Sequence, residues 1–231
     1  MFSAAFLITV ILTAGFSYGQ SVVKETRNVK DFTKVSFGVP GNLIIKLGPE
    51  FQVVIEGDKR VLNEIVTEVS GGRLVIKHEN WRFSFNDERI TVNITMPEIE
   101  GLSVSGSGKA EIMDVVKSDD LNLSVSGSGK LLTAGLEVDD LNCGISGSGD
   151  IVLGASGTVD RADISISGSG GFSGEKTEID RLEISVSGSG NCNCNVTESL
   201  NASISGSGNI TYLGNPRVNA RVSGSGHVRS R

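Results

Sequence analysis

The chain has 231 residues, 21% charged and 38% hydrophobic, ordinary for one or two globular domains. A net charge of −6 argues against a general nucleic-acid binder, which needs a basic face. Glycine is the anomaly, at 30 of 231 positions or about 13% against a usual ~7%, while three cysteines are too few, and odd in number, for a disulfide scaffold.

The first predicted element is residues 1–20, "MFSAAFLITVILTAGFSYGQ", which carry no charge. An apolar run from Phe2 to Phe16 followed by small and polar residues reads as a signal peptide cut near Gly19–Ser21, although no Lys or Arg precedes it. The run is shorter than the ~20 residues of a membrane span, so an uncleaved anchor is the lesser reading. No later segment reads as a transmembrane helix. The chain is therefore expected to be exported, to the periplasm, the outer membrane or the cell exterior.

Residues 25–100 read as a β-rich N-terminal cap continuous with the coil, or as its first irregular rungs. "NLIIKLGPEFQVVIEGD" gives two strands around Gly48-Pro49, and "RLVIKH" and "ITVNITMP" give two more. Between them "DKRVLNEIVTEV" predicts a short amphipathic helix, with Asp58 as its N-cap and Val61, Leu62, Ile65 and Val66 on one face. Trp81, Phe83 and Phe85 share one face of "NWRFSFND". They either pack the cap or project as a contact patch for a partner or glycan.

From residue 101 to 231 the chain repeats. "SGSG" begins at Ser105, Ser126, Ser146, Ser167, Ser187, Ser205 and Ser223, at intervals of 21, 20, 21, 20, 18 and 18. One residue before each block stand Val104, Val125, Ile145, Ile166, Val186, Ile204 and Val222. Two residues earlier stand Leu102, Leu123, Cys143, Ile164, Ile184, Ala202 and Ala220. Ser, Asn, Asp and Glu fill the places between, which is the period-two pattern of a half-buried strand. A second apolar column follows each block: Ala110, Leu131, Ile151, Phe172, Cys192, Ile210 and Val228. A unit of some 20 residues cannot bury its own apolar face, but stacked units can. The expected fold is all-β: a single-stranded parallel β-helix, right-handed by the usual preference, with rungs of about 20 residues. The shorter last intervals place the length variation in the return segment behind each block.

The glycines test this reading. Gly106, Gly108, Gly127, Gly129, Gly147, Gly149, Gly168, Gly170, Gly188, Gly190, Gly206, Gly208, Gly224 and Gly226 each cost roughly 0.5–1 kcal/mol relative to alanine in a strand. Together that is about 7–14 kcal/mol, comparable with the whole stability of a domain. Such a loss is tolerable where a corner demands positive φ or leaves no room for a Cβ. They are assigned to that structural corner.

Three stretches together, "NLIIKLGPEFQVVIEGD", "GGRLVIKH" and "MPEIEGLSVSGSGKAEI", followed by repeating "SVSGSG", resemble the bacterial family described as "putative auto-transporter adhesin, head GIN domain". The likeness covers residues 30–228. It implies an exported protein of Bacteroidetes-type bacteria, with a β-helix reminiscent of pectate lyases and no established activity. A translocator barrel would need many more strands than follow the repeats, so self-export is not expected.

Polar columns supply the remaining candidates. Asp119, Asp120, Asp139 and Asp140 stack on two adjacent rungs, where carboxylates about 4.8 Å apart repel by roughly 1 kcal/mol in water. A Ca²⁺ ion between the rungs would relieve this; the plainer reading is that each aspartate caps its own corner through backbone N–H groups. No other cofactor is implied. Cys143, Cys192 and Cys194 fall in inward columns and read as small apolar fillers. Acids recur as columns, so none is singled out as catalytic, and no catalytic residue is assigned. The expected function is a non-enzymatic, adhesin-like or structural envelope protein that meets an envelope component, a glycan or a surface protein. The alternative is a polysaccharide lyase or glycosidase-like enzyme.

Overall fold

The computed structural model of the chain describes residues 22–79, 90–154 and 156–231. The signal-peptide reading of residues 1–20 lies outside them. All the strands described join in one sheet, which winds into a parallel β-solenoid.

The repeats form the regular coil. Its strands are β8 (Gly101–Gly106), β9 (Lys109–Gly127), β10 (Lys130–Gly147), β11 (Asp150–Val152), β12 (Ser156–Gly168), β13 (Gly171–Gly188), β14 (Asn191–Gly206), β15 (Asn209–Leu213), β16 (Arg217–Gly224) and β17 (His227–Ser230). (The first seven strands precede these in the chain and are described below.) Each pairs in parallel with its equivalents on neighbouring rungs, β16 and β17 on one side only. Val104 registers on Val125, Val125 on Ile145, Ile145 on Ile166, Ile166 on Val186, Val186 on Ile204 and Ile204 on Val222. The column is buried from Val104 to Ile204 and opens only at Val222. Each fully buried Val or Ile contributes ~1.5–3 kcal/mol. With three or four such residues per repeat, the core outweighs the two glycines at each corner.

The return segment is not a loop. β9 runs unbroken for 19 residues and β13 for 18, bending as they go. Length differences are absorbed as bulges: β13 pairs Gly174 with Cys194 and then Glu178 with Asn195, leaving residues 175–177 without partners. Here the interval drops to 18, on the return side of the block as the spacing implies.

The two glycines of the Gly127–Gly129 corner differ in conformation, though neither leaves room for a Cβ: at Gly127 it would stand 2.6 Å from the Gly106 carbonyl oxygen. Gly127 has φ 110°, a region that L side chains avoid. Gly129 does not, but a Cβ there would stand 2.7 Å from the Gly108 carbonyl oxygen and 2.8 Å from Val104 Cγ1. The ladder continues through the turn, with Ser128 N–H donating to the Gly106 carbonyl at 2.8 Å and Lys130 N–H to that of Gly108 at 3.0 Å.

Residues before the repeats build both coil and cover. The strands are β1 (Val22–Arg27), β2 (Lys34–Gly38), β3 (Gly41–Leu47), β4 (Gln52–Asp58), β5 (Ile65–Ser70), β6 (Arg73–His78) and β7 (Ile90–Met96). β2 pairs in parallel with β8 on one side and β6 on the other, and β3 likewise with β9 and β7. Residues 34–47 are thus a rung without an SGSG block, in which Gly38-Val39-Pro40-Gly41 makes the corner. The β6–β7 rung lies beyond it. Antiparallel β4 and β1, and antiparallel β5, then cover that end.

The predicted amphipathic helix shrinks to one turn, α1 (Lys59–Leu62), with Asp58 accepting a hydrogen bond from Arg60 N–H at 2.8 Å. Ile65 and Val66 belong instead to β5. The β-branched run Ile65-Val66-Thr67 suits a strand, and β6 offers it a full antiparallel partner.

Candidate functional site

Outward positions of the coil form columns as regular as the core. One runs Arg73, Lys34, Gly101, Asn122, Asn142 and Asp163, rung on rung. Its neighbour runs Ser36, Ser103, Ser124, Gly144, Ser165 and Ser185. Hydroxyls bridge rungs where they meet: Ser124 Oγ donates to Ser103 Oγ at 2.9 Å and Ser185 Oγ to Ser165 Oγ at 3.5 Å. Asparagine ladders do the same, with Asn209 Nδ2 donating to Asn191 Oδ1 at 3.2 Å and Asn219 Nδ2 to Asn201 Oδ1 at 3.3 Å. Gly144 interrupts the serine column. Around it lies a shallow concavity of about 560 Å³ whose lining runs from Lys34 and Arg73 at one end to Asp163 at the other. It is an open, polar surface with cations and an anion at opposite ends.

The four aspartates lie on adjacent rungs, with Asp120 in register with Asp140. They stand within continuous strands, where backbone N–H groups serve the ladder. Among the described residues none of the four receives one, so the corner-cap reading fails. Two ion pairs cross the rungs here: Arg161 Nη1 meets Asp140 Oδ1 at 2.9 Å, and Lys117 Nζ meets Glu137 at 2.7 Å. Among the described residues no three His, Cys, Asp or Glu side chains gather as a metal-binding group. Arg161 thus takes up Asp140, one of the four aspartates. Each such pair is worth no more than ~1 kcal/mol at the surface.

Trp81, Phe83 and Phe85 lie outside the described residues, in the stretch that joins β6 to β7. The cysteines are all buried and free. Burial pushes the Cys143 thiol up, helped by the nearby Asp163 carboxylate. A hydrogen bond with Cys194, and then burial, hold the Cys192 thiol well above its usual range. Thiols kept protonated in this way are poor nucleophiles and poor metal ligands, as core fillers should be.

Sequence reasoning passed over one polar cluster because its members are far apart in the chain. His227 stacks on Asn209 and Asn191, and Arg229 on Thr211 and Asn193. These side chains rim a shallow concavity of about 700 Å³ on the face behind the corner. Adding 18 residues to each position in turn would have found both columns.

The family described as "putative auto-transporter adhesin, head GIN domain" matches residues 31–216. The chain belongs to that family. A family member by sequence, it also has close counterparts among solved structures. A putative adhesin from Bacteroides fragilis superposes with a TM-score of 0.86 at 25% identity, covering 92% of this chain and 98% of that one. A putative lipid binding protein from Parabacteroides distasonis gives 0.71 at 23% identity, over 91% and 96% of the two chains. A putative adhesin from the same organism gives 0.75 at 21%, over 91% and 97%. No curated protein matches the chain. The solenoid architecture is thus shared with these solved structures over nearly whole chains at identities near one in four, as expected when the fold rests on column pattern rather than residue identity. No helix among the described residues is long and apolar enough to cross a membrane.

Proposed function

We propose that this head GIN protein is an exported, non-enzymatic component of the cell envelope with an adhesin-like role, binding an envelope component, glycan or surface protein through its outer faces. The observation that carries the reading is the register of the outward columns. Serine, asparagine and charged side chains repeat at the rung spacing of about 4.8 Å, giving a flat surface that offers many weak, identical contacts. Such a surface suits a repetitive ligand, since linked weak contacts reach useful avidity without a deep pocket. The family's name and the charge-free residues 1–20 support export. Two of the three solved structures named above are putative adhesins, which supports adhesion. Catalysis of the lyase or glycosidase kind would need particular acids set across a cleft, and here the acids recur column-wise on open faces.

The test is a screen of the purified protein against acidic and neutral polysaccharides and an array of envelope components, read for both binding and turnover. Saturable binding without turnover is expected. Turnover abolished by replacing one acid would overturn the proposal, as would a complete lack of binding to every class on the array.

A further inference from the structure

After Glu198 the chain contains no Asp or Glu, but it contains Arg217, Arg221, Arg229 and Arg231. In a chain with net charge −6 this is a segregated basic end. Charge along the rim of a last rung is a guard against end-to-end stacking. A rim guard, however, does not call for a matched set of donors on the rungs behind it. Such a set exists. Arg229 projects from the last rung, Thr211 stands in register beneath it and Asn193 beneath that. His227, Asn209 and Asn191 make the adjoining column, where the Asn209–Asn191 bond at 3.2 Å fixes both amides. Two adjoining concavities, of about 700 and 400 Å³, run along these columns, and no Asp or Glu lines either. Arg231 is engaged by Glu175. Arg229 has no carboxylate partner among the described residues.

We propose that this face binds an anionic polysaccharide, with Arg229 as the carboxylate-reading group and the Asn193–Thr211 and Asn191–Asn209–His227 columns as donors and acceptors for sugar hydroxyls. This rests on the adhesin-like reading above and names its ligand class. A guanidinium presents the paired donors that match a carboxylate, and charge-assisted hydrogen bonds are the strong ones. The columns step along the coil axis at the rung spacing, so the ligand is extended and repeats its polar groups over at least three rungs. Val228 is the one apolar residue in the lining of the larger concavity, which gives a lipid acyl chain no seat. No Trp, Tyr or Phe lines either concavity, which leaves a nucleic-acid base only the single His227 ring to stack on.

The experiment uses the full chain and two forms of one polymer: polygalacturonate, and its methyl ester, which keeps the hydroxyls and removes the charge. The protein is expected to bind polygalacturonate, to lose affinity as salt rises, and to bind the ester at least about tenfold more weakly, as loss of a charge-assisted pair implies. Arg229→Gln should weaken binding by a similar factor, while Lys24→Gln, on the covering strand β1, should not. Because a variant can misfold, the wild-type chain is also titrated with galacturonate oligomers by NMR, where the His227 ring and the Asn193 and Asn209 side-chain amides should shift. Absence of polygalacturonate binding overturns the proposal, as do equal binding of the ester, indifference to Arg229→Gln, shifts confined to other faces, or preferential binding of anionic phospholipid vesicles or a DNA oligonucleotide. Binding of neutral array components without polygalacturonate would sink this site while leaving the adhesin-like reading intact.

Discussion

Gly188 and Gly190 stand two residues apart in one corner; a Cβ at either would meet the rung beneath, at Gly188 2.5 Å from the Gly168 carbonyl oxygen, and only Gly188 adds conformational strain. Gly188 has φ 117°, so any side chain there is strained. Gly190 is not in that region, but a Cβ would sit 2.5 Å from Ile166 Cγ2 and 2.8 Å from the Gly170 carbonyl oxygen on the rung beneath. Gly106, in the first block, isolates the conformational cost, since its φ is 84° but nothing lies within 4 Å of an added Cβ. Strain alone is worth about 1–2 kcal/mol. A methyl forced against backbone and a buried isoleucine adds overpacking of about 1–3 kcal/mol, and stacked backbones cannot move apart without breaking ladder bonds. Gly190→Ala is therefore expected to cost ~3 kcal/mol or more, and Gly106→Ala ~1–2 kcal/mol. Urea unfolding of the two variants decides it: equal, mild losses would mean that the corners are not in van der Waals contact from rung to rung.

Strands that lie next to each other in the coil are not always next to each other in the chain. From residue 101 onward sequence order and spatial order agree, so the apolar columns, the corners and the register were all legible from the spacing of SGSG. Before residue 101 they diverge. The rung at residues 34–47 lies between the β6–β7 rung, which is encoded later, and the β8–β9 rung. No block marks it, because Phe37 and Gly38-Val39-Pro40-Gly41 replace the usual aliphatic and SGSG. The polar cluster around Arg229 was hidden for a different reason: its members are separate rungs' contributions to one face, and no local run of residues displays them together. The cover shows what that divergence achieves. β1 pairs along all six residues with β4 and closes an edge that would otherwise be a template for another chain. In an antiparallel edge pair, only alternate residues send their N–H to the partner. Proline placed at Lys24 and at Glu25 in separate variants should therefore differ: one loses a ladder bond, lowers the melting temperature and raises light scattering, and the other is tolerated. If both behave like the parent chain, β1 is not closing that edge.

Taken whole, the molecule is a row of units each stabilised by two neighbours, except at the ends. The end near β5 and β4 is covered by antiparallel strands, and the other end by nothing among the described residues. Every residue of β16 is exposed. Val218 and Val222 are 42% and 44% exposed, although their counterparts Leu200 and Ile204 are almost fully buried. In a solenoid, stability is approximately a sum of intrinsic and nearest-neighbour terms, so a unit that lacks one neighbour and half its burial opens first. The two ends differ in chemistry as well: the covered end carries the packing of Phe32, Phe37 and Phe51, and the open end carries Arg217, Arg221 and Arg229, which have no carboxylate partner among the described residues. Amide hydrogen exchange followed by mass spectrometry should show residues 217–230 exchanging fastest and residues 101–188, flanked by rungs on both sides, slowest, with protection lost rung by rung from the open end as denaturant is raised. A ligand held by Arg229 and the rungs beneath it would supply part of the missing neighbour, and saturating polygalacturonate should slow exchange in residues 209–230 while leaving residues 101–127 unchanged. Uniform exchange along the repeats, in one cooperative step, would show instead that coupling between rungs is strong enough to erase the difference between a covered end and an open one.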